Sequence, residues 1–332
     1  MSLHDSAYSP AQLAEYLNHV GLPQSFHPSS NPVLDATYLN TLFAHQITTI
    51  PYDNLSIHYS PSHSISLDPQ VLFHKLISSK RGRGGYCMEN SILFHHILRC
   101  IGFDIYMSGV RVRPRTNGIP GGDYGGWVHL VNIVTLPDGS RYALDAGFGG
   151  DGPTIPMPLV ENLSHHNSIG TQEIRLIRDY IPNQRYRQRD EDKLWIYQYR
   201  NGSDREWLSF YAFPEWEFTE ADFGVVNHFT HTSPDSFQTF TTLVIKFLPT
   251  QEPVEGEGVY GGKRKVGGKI MLVQGEVKQN VTGRTELVKT CKTEQERLEA
   301  LKEYFGIVLT QEEAEAIKGR SVELGATVAM TG

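Results

Sequence analysis

A chain of 332 residues, 39% hydrophobic and 20% charged, suits a soluble globular protein of two or three domains. The formal net charge of −7 argues against bulk attraction to nucleic acid or anionic membrane, and three widely spaced cysteines do not make a disulfide framework. The opening MSLHDSAYSPAQ lacks the basic and apolar blocks of a signal peptide and no apolar run reaches bilayer length, so a cytoplasmic protein with reduced thiols is expected.

The first hundred residues read as helices. Ser9 and Pro10 suit an N-cap and a first helical position, Leu13, Leu17 and Val20 share a face, and Gly21 can end the helix. Leu39, Leu42, Phe43 and Ile47 make a second apolar stripe that must stop before Pro51. A third helix is expected from about Cys87 to Arg99, with Leu93, Ile97, Cys100 and Ile101 on one face and Gly102 closing it. Beyond Phe103 the pattern turns to strands in FDIYMSGVRVR, GWVHLVNIVTL and RYALDAGF. A hairpin follows in LWIYQYRNGSDREWLSFYAF, with Asn201 and Gly202 in its loop. LVIKFLPT and KIMLVQGEVKQ continue the β pattern, and the glycine- and charge-rich stretch between them, about 255–268, reads as a mobile loop. Thr293 with Glu296 and Thr310 with Glu313 are capping boxes that open short helices, and the tail after Gly319 reads as loosely held. The order is helices, then sheet, then a mixed α/β end.

One stretch, RGRGGYCMEN, sets three glycines around two arginines and ends on Cys87 at a helix start. Such a run implies a backbone that turns tightly or stays open to a ligand. A sulfur at the positive end of a helix dipole, with Arg81 and Arg83 adding positive charge nearby, is favoured as thiolate. A nucleophilic cysteine also needs a histidine to hold its proton and a third group to orient that histidine. In GGWVHLVNIVTLPDGSRYALDAGF, Pro137-Asp138-Gly139 suits a three-residue hairpin loop with Gly139 left-handed. Centring the turn on Asp138 pairs Leu136 with Ser140, sets Val131 opposite Asp145 and His129 opposite Gly147, and makes His129 and Asp145 diagonal neighbours on one face. A slip of one residue would separate them. An aspartate in an apolar strand needs a partner, and His129 is the nearest one. Duller readings fit the other candidates. Cys100 and Cys291 read as buried filler. His96 with Cys100, and His228 with His231, have ligand-like spacing but lack further ligands, so no metal is expected. The cluster GGKRK reads as solvated loop.

RGRGGYCMEN, GGWVHLVNIV and YALDAGFGG, in this order and spacing, resemble the arylamine N-acetyltransferases, and AHQITTIPYDNLSI, LFHHILRCIGFDI and DFGVVNHFTHTSPDSFQTF extend the likeness to roughly residues 10–310. The resemblance implies an α+β fold with a thiol-protease-like core: an N-terminal helical bundle (1–104), a central antiparallel β-barrel (105–214) and a C-terminal α/β lid (215–332). It implies Cys87 as nucleophile, His129 as base and Asp145 as orienting carboxylate. Gly125, Gly126 and Val128 then match the acyl-CoA loop, Phe148 the aromatic-amine pocket, and Phe229 a CoA contact that is usually tyrosine. Ser91 stands where the family usually has asparagine, with Asn90 beside it, and Asp235 replaces a threonine that can touch CoA. The implied reaction is ping-pong transfer of an acetyl or related short acyl group from acyl-CoA to arylamines, arylhydrazines or N-hydroxyarylamines, in a cytoplasmic monomer or dimer serving xenobiotic metabolism, with no nucleic-acid or membrane partner. A thiol hydrolase or transglutaminase-like enzyme with the same three residues is the alternative, and an inactive binding relative is a third reading.

Overall fold

Ser9 caps the first helix through its hydroxyl, which accepts the Gln12 N–H (3.3 Å), and Gly21 ends it with a left-handed φ of 66°. In this computed structural model, which describes residues 6–250, 264–281 and 283–325, that helix is α1 (Pro10–Val20). Asp35 caps α2 (Ala36–Thr49) by accepting the Tyr38 N–H (2.8 Å), and the chain leaves helical geometry at Ile50, before Pro51. Both pack on α3 (Cys87–Ile101) around a core that includes Leu17, Leu39, Phe43, Phe94 and Ile97. Gly102, left-handed at φ 113°, closes α3 as expected.

The larger sheet is antiparallel and eight-stranded. Its strands are β2 (Asp104–Val112), β3 (Trp127–Thr135), β4 (Arg141–Leu144), β5 (Met157–Pro158), β6 (His165–His166), β7 (Gln172–Asp179), β8 (Leu194–Asn201) and β9 (Leu208–Phe213). In space they run β5-β4-β3-β2-β9-β8-β7-β6, curled into a half-barrel. One cluster of buried side chains on it includes Val131, Ile133, Tyr197 and Tyr211. The β3–β4 register follows the turn chemistry. Asn132 faces Leu144 and Thr135 faces Arg141, the Leu136 N–H donates to Ser140 (2.8 Å), and Gly139 is left-handed at φ 85°. The strand nevertheless stops at Leu144, so Asp145 leaves the ladder one residue after it.

A second sheet runs β1-β10-β11-β12-β13: β1 (Tyr52–Asp53), β10 (Leu243–Pro249), β11 (Val266–Val273), β12 (Glu276–Asn280) and β13 (Thr285–Thr290). β1 comes from the helical part of the chain and pairs with β10, which stitches the N-terminal helices to the late strands. The stretch KIMLVQGEVKQ, expected to continue the β pattern, forms two strands, because Gln274 takes a left-handed φ of 55° and turns the chain. Of the segment expected to be mobile, Val266–Gly268 begin β11, while residues 255–263 lie outside the described residues. Helix α4 (Glu220–Thr232) leads into this sheet, and the capping boxes open α5 (Glu294–Ala300) and α6 (Gln311–Glu315). The tail is held further than expected. Arg297, fully buried, donates to the Val322 carbonyl (2.9 Å), and the Leu324 N–H donates to Glu294 (2.8 Å). No helix among the described residues is long and apolar enough to cross a membrane.

Candidate active site

The turn before α3 is built by close approach. A side chain on Gly84 would begin 1.8 Å from the Pro51 carbonyl oxygen, one on Gly82 would begin 2.1 Å from the Gly306 carbonyl oxygen, and one on Gly85 would begin 2.4 Å from Glu89 Cβ. Asn90 Nδ2 donates to the Pro51 carbonyl (3.1 Å), and the Tyr86 N–H donates to the Glu89 carboxylate (3.1 Å), which Lys75 also grips (2.7 Å). These contacts leave Cys87 as the first residue of α3, its side chain almost wholly buried. Arg81 and Arg83, expected to add positive charge near the sulfur, are both paired with carboxylates. Arg83 is buried and donates to both oxygens of Asp53 (3.3 and 3.1 Å) and to Glu313 (3.2 Å), while Arg81 is bound to Glu313. Burial would raise the Asp53 carboxyl, but Arg83 and Lys75 outweigh it and hold the carboxyl below its ordinary value. Both guanidiniums are spent on holding the turn.

Opposite Cys87, β3 carries a bulge. Val110 faces His129 and Arg111 faces Trp127, so Val128 is the extra residue, and its carbonyl oxygen lies 4.0 Å from the Cys87 sulfur. His129 Nε2 sits 3.0 and 2.9 Å from the two oxygens of Asp145, which leaves Nδ1 for the sulfur that hydrogen-bonds the ring. Burial pushes the imidazole pKa down, but Asp145 and Cys87 together raise it to about 10. Asp145 also accepts the Gly147 N–H (3.2 Å) and a hydrogen bond from Tyr211. Burial, and then the charge of Asp145, raise the Tyr211 phenol well above its usual range. A side chain on Gly147 would begin 2.4 Å from the Cys87 carbonyl oxygen, so only glycine lets this chain cross the start of α3. Phe148 then stands edge-on to His129 (centroids 5.1 Å) and to Phe210 (4.8 Å), forming an aromatic wall beside the imidazole.

The other sequence candidates divide. Gly125 and Gly126 lie just before β3, but the Gly125 N–H is engaged by the Val112 carbonyl (3.1 Å), so of the two only Gly126 keeps an open surround. Phe229 is exposed on α4, two residues after Asn227, which receives the Tyr86 hydroxyl. Cys100 packs beside α1, where its thiol meets the Tyr8 carbonyl (3.5 Å), and Cys291 meets that of Glu296 (3.5 Å). Among the described residues no three His, Cys, Asp or Glu side chains converge as a metal site. Sequence reading missed a clamp between α3 and β3. Asn132, fully buried, donates to the Ser91 carbonyl (2.9 Å) and shares a hydrogen bond with His95 Nδ1 (3.1 Å). The available signal was a polar residue in an apolar strand three positions after His129.

Known proteins resemble this chain in sequence and in fold. A sequence profile described as N-acetyltransferase matches residues 35–254. The N-malonyltransferase FDB2 of Fusarium pseudograminearum is 32% identical over 328 residues, covering 92% of this chain and 91% of its own. Arylamine N-acetyltransferase 2 of Rattus norvegicus is 31% identical over 301 residues, 85% of this chain and 91% of its own. Among solved structures, the Mycobacterium marinum arylamine N-acetyltransferase in complex with CoA shares the fold, with a TM-score of 0.69 at 21% identity over 92% of this chain and 97% of that one.

Proposed function

This chain belongs to the arylamine N-acetyltransferase family, and from that premise we propose that it carries a short acyl group from acyl-CoA to an amine nitrogen through a thioester on Cys87. The observation that carries this reading is the imidazole of His129 hydrogen-bonded to the Cys87 sulfur on one side and to Asp145 on the other. With the imidazole pKa raised to about 10, His129 holds its proton at neutral pH beside the sulfur, where it can be given to the leaving group. The Cys87 thiolate attacks the thioester carbonyl, and the N–H groups of the first turn of α3 face the developing oxyanion. As the intermediate collapses, its bond to the CoA sulfur breaks and that sulfur leaves with the proton of His129. An amine then attacks the acyl-cysteine, His129 takes the amine's proton, and the amide departs as the Cys87 thiolate is restored. Asp145 fixes the ring and its tautomer throughout. Gly126 and the Val128 bulge flank the donor, with Phe229 further out on α4, and Phe148 offers a face for an aromatic acceptor.

The acyl group itself has two candidates, acetyl and malonyl, and the named function of the Fusarium relative favours testing malonyl alongside acetyl. Intact-protein mass spectrometry after mixing with acetyl-CoA or malonyl-CoA, without amine, reads both questions at once. One acyl mass on Cys87, removed by adding an arylamine, is expected. A protein that gains no mass from any acyl-CoA yet cleaves amides is instead the hydrolase. The division into segments 1–104, 105–214 and 215–332 belongs to the same proposal, with nucleophile and base on different segments.

A further inference from the structure

Arg81, Arg83, Arg115, Arg141 and Arg200 each face a carboxylate. Two arginines beside the site do not. Among the described residues, neither Arg111 nor Arg113 has a carboxylate within ion-pair distance, and both are turned onto the glycine loop that precedes β3. Arg111 Nη1 donates to the Gly125 carbonyl (2.8 Å), with its guanidinium stacked 4.0 Å over the Trp127 ring. Arg113 Nε donates to the Gly122 carbonyl (2.8 Å) and its Nη1 to that of Ser209 (3.3 Å), with its guanidinium 5.4 Å from the Tyr124 ring. The loop between is tied at both ends, Gly121 N–H to Pro114 (3.0 Å) and Gly125 N–H to Val112 (3.1 Å). Each guanidinium is thus braced by a carbonyl and an aromatic ring, and among the described residues most of its five N–H donors have no acceptor. Arg111 is half-buried, and burial pulls it below the usual arginine range with no anion to offset it.

An arginine held rigidly in a partly desolvated place with no counter-charge is arranged for an anion that arrives from outside. The chain as a whole is acidic, so a polyanionic donor needs such a local exception. Gly121, Gly122 and Gly126 have no atom within 4 Å of where a side chain would begin, which leaves the loop's surface open. Trp127, at the loop's end, adjoins Val128, whose carbonyl faces the Cys87 sulfur. We propose that Arg111 and Arg113 are the phosphate-binding residues for the acyl-CoA donor, held on either side of the glycine loop. This rests on the acyltransferase reading and adds to it the residues that hold the donor. A diphosphate presents separate anionic groups to two separate guanidiniums, whereas a malonyl carboxylate presents one.

The test is a binding series on the full chain, with CoA, 3′-dephospho-CoA and pantetheine as probes at low and high salt. The parent should bind CoA at least about tenfold more tightly than pantetheine, with a salt dependence that pantetheine lacks. The Arg111→Gln/Arg113→Gln double variant should lose most of that difference, and Arg111→Lys/Arg113→Lys should recover part of it. Equal affinity of the parent for CoA and pantetheine overturns the proposal without any variant. So does a parallel loss of pantetheine binding in the glutamine variant, which marks a structural role. A third arm compares acetyl-CoA with malonyl-CoA. Loss confined to malonyl-CoA assigns the guanidiniums to the acyl carboxylate and overturns the phosphate assignment. Arginine-dependent CoA binding without any acyl group on Cys87 sinks the acyltransferase reading alone, and acylation with arginine-independent CoA binding sinks this inference alone.

Discussion

Between Arg81 and Gly85 a side chain on any of the glycines would begin within 3 Å of neighbouring atoms, whereas at Gly118, Gly121, Gly122 and Gly126 it would meet nothing within 4 Å. The arginines differ in the same way. Arg81 and Arg83 are bound to Asp53 and Glu313, while Arg111 and Arg113 rest on backbone carbonyls. Two segments that both combine arginine with glycine therefore do opposite things. The first is locked by packing and compensated charge so that a sulfur emerges at a fixed point, and the second leaves backbone and charge uncommitted at the approach to the histidine. Glycine content alone distinguishes neither, because what matters is whether the missing side chain makes room for protein or for something else.

The largest expected effect lies where the two segments meet. Asp145→Asn keeps the shape but removes the charge that supports the imidazolium, so burial should prevail and the His129 pKa should fall. Acylation of Cys87 should slow by about 10³- to 10⁴-fold, read as a single-turnover rate with acetyl-CoA. A stability measurement checks the cause. A group raised from 6.5 to about 10 contributes stability that is fully present below pH 6.5 and is lost as pH rises through 10. The gap between parent and variant should therefore shrink across that window. A gap that widened with pH would mean the proton is not held on His129.

Next in size is Arg83→Gln, which strands Asp53 in the interior. Breaking a buried pair from one side costs about 3–5 kcal/mol, measured by urea unfolding at neutral pH, whereas Arg113→Gln should stay within about 0.5 kcal/mol. The pH dependence has the opposite sign to that of His129. A carboxyl held below 3.8 contributes stability above that pH and loses it as pH falls through its folded value, so the Arg83→Gln deficit should narrow in acid. Equal costs at the two arginines would erase the contrast between the segments.

Much of this was legible in the sequence, for identifiable reasons. Centring the Pro137-Asp138-Gly139 turn on Asp138 gives the register found in the structure, and from that register His129 was expected beside Asp145. Caps at Ser9, Thr293 and Thr310 named three helix starts because their hydrogen bonds are local. Contacts set by distant packing were not legible. Nothing near Arg83 in the chain announces Asp53 or Glu313, and nothing near Val128 announces a bulge, since both depend on strands and helices brought in from elsewhere. Asn132 was visible as an oddity in an apolar strand, but its partners, Ser91 and His95, sit on a helix that only the fold places there.

The smallest effect, at Gly121, is also the sharpest discriminator, because the same substitution can be made in both segments. Gly84→Ala drives a methyl group into the Pro51 carbonyl, a backbone atom that cannot swing away, and should cost about 3 kcal/mol or more. Gly121→Ala meets nothing within 4 Å and has an ordinary negative φ, so the folded state bears no penalty. The unfolded chain loses freedom instead, and the change should be neutral or stabilising by about 0.4–1 kcal/mol. Paired urea melts of the two variants read the difference directly. If Gly121→Ala proved as damaging as Gly84→Ala, the second loop would be packed as tightly as the first, and no open surface would remain there for a donor to occupy.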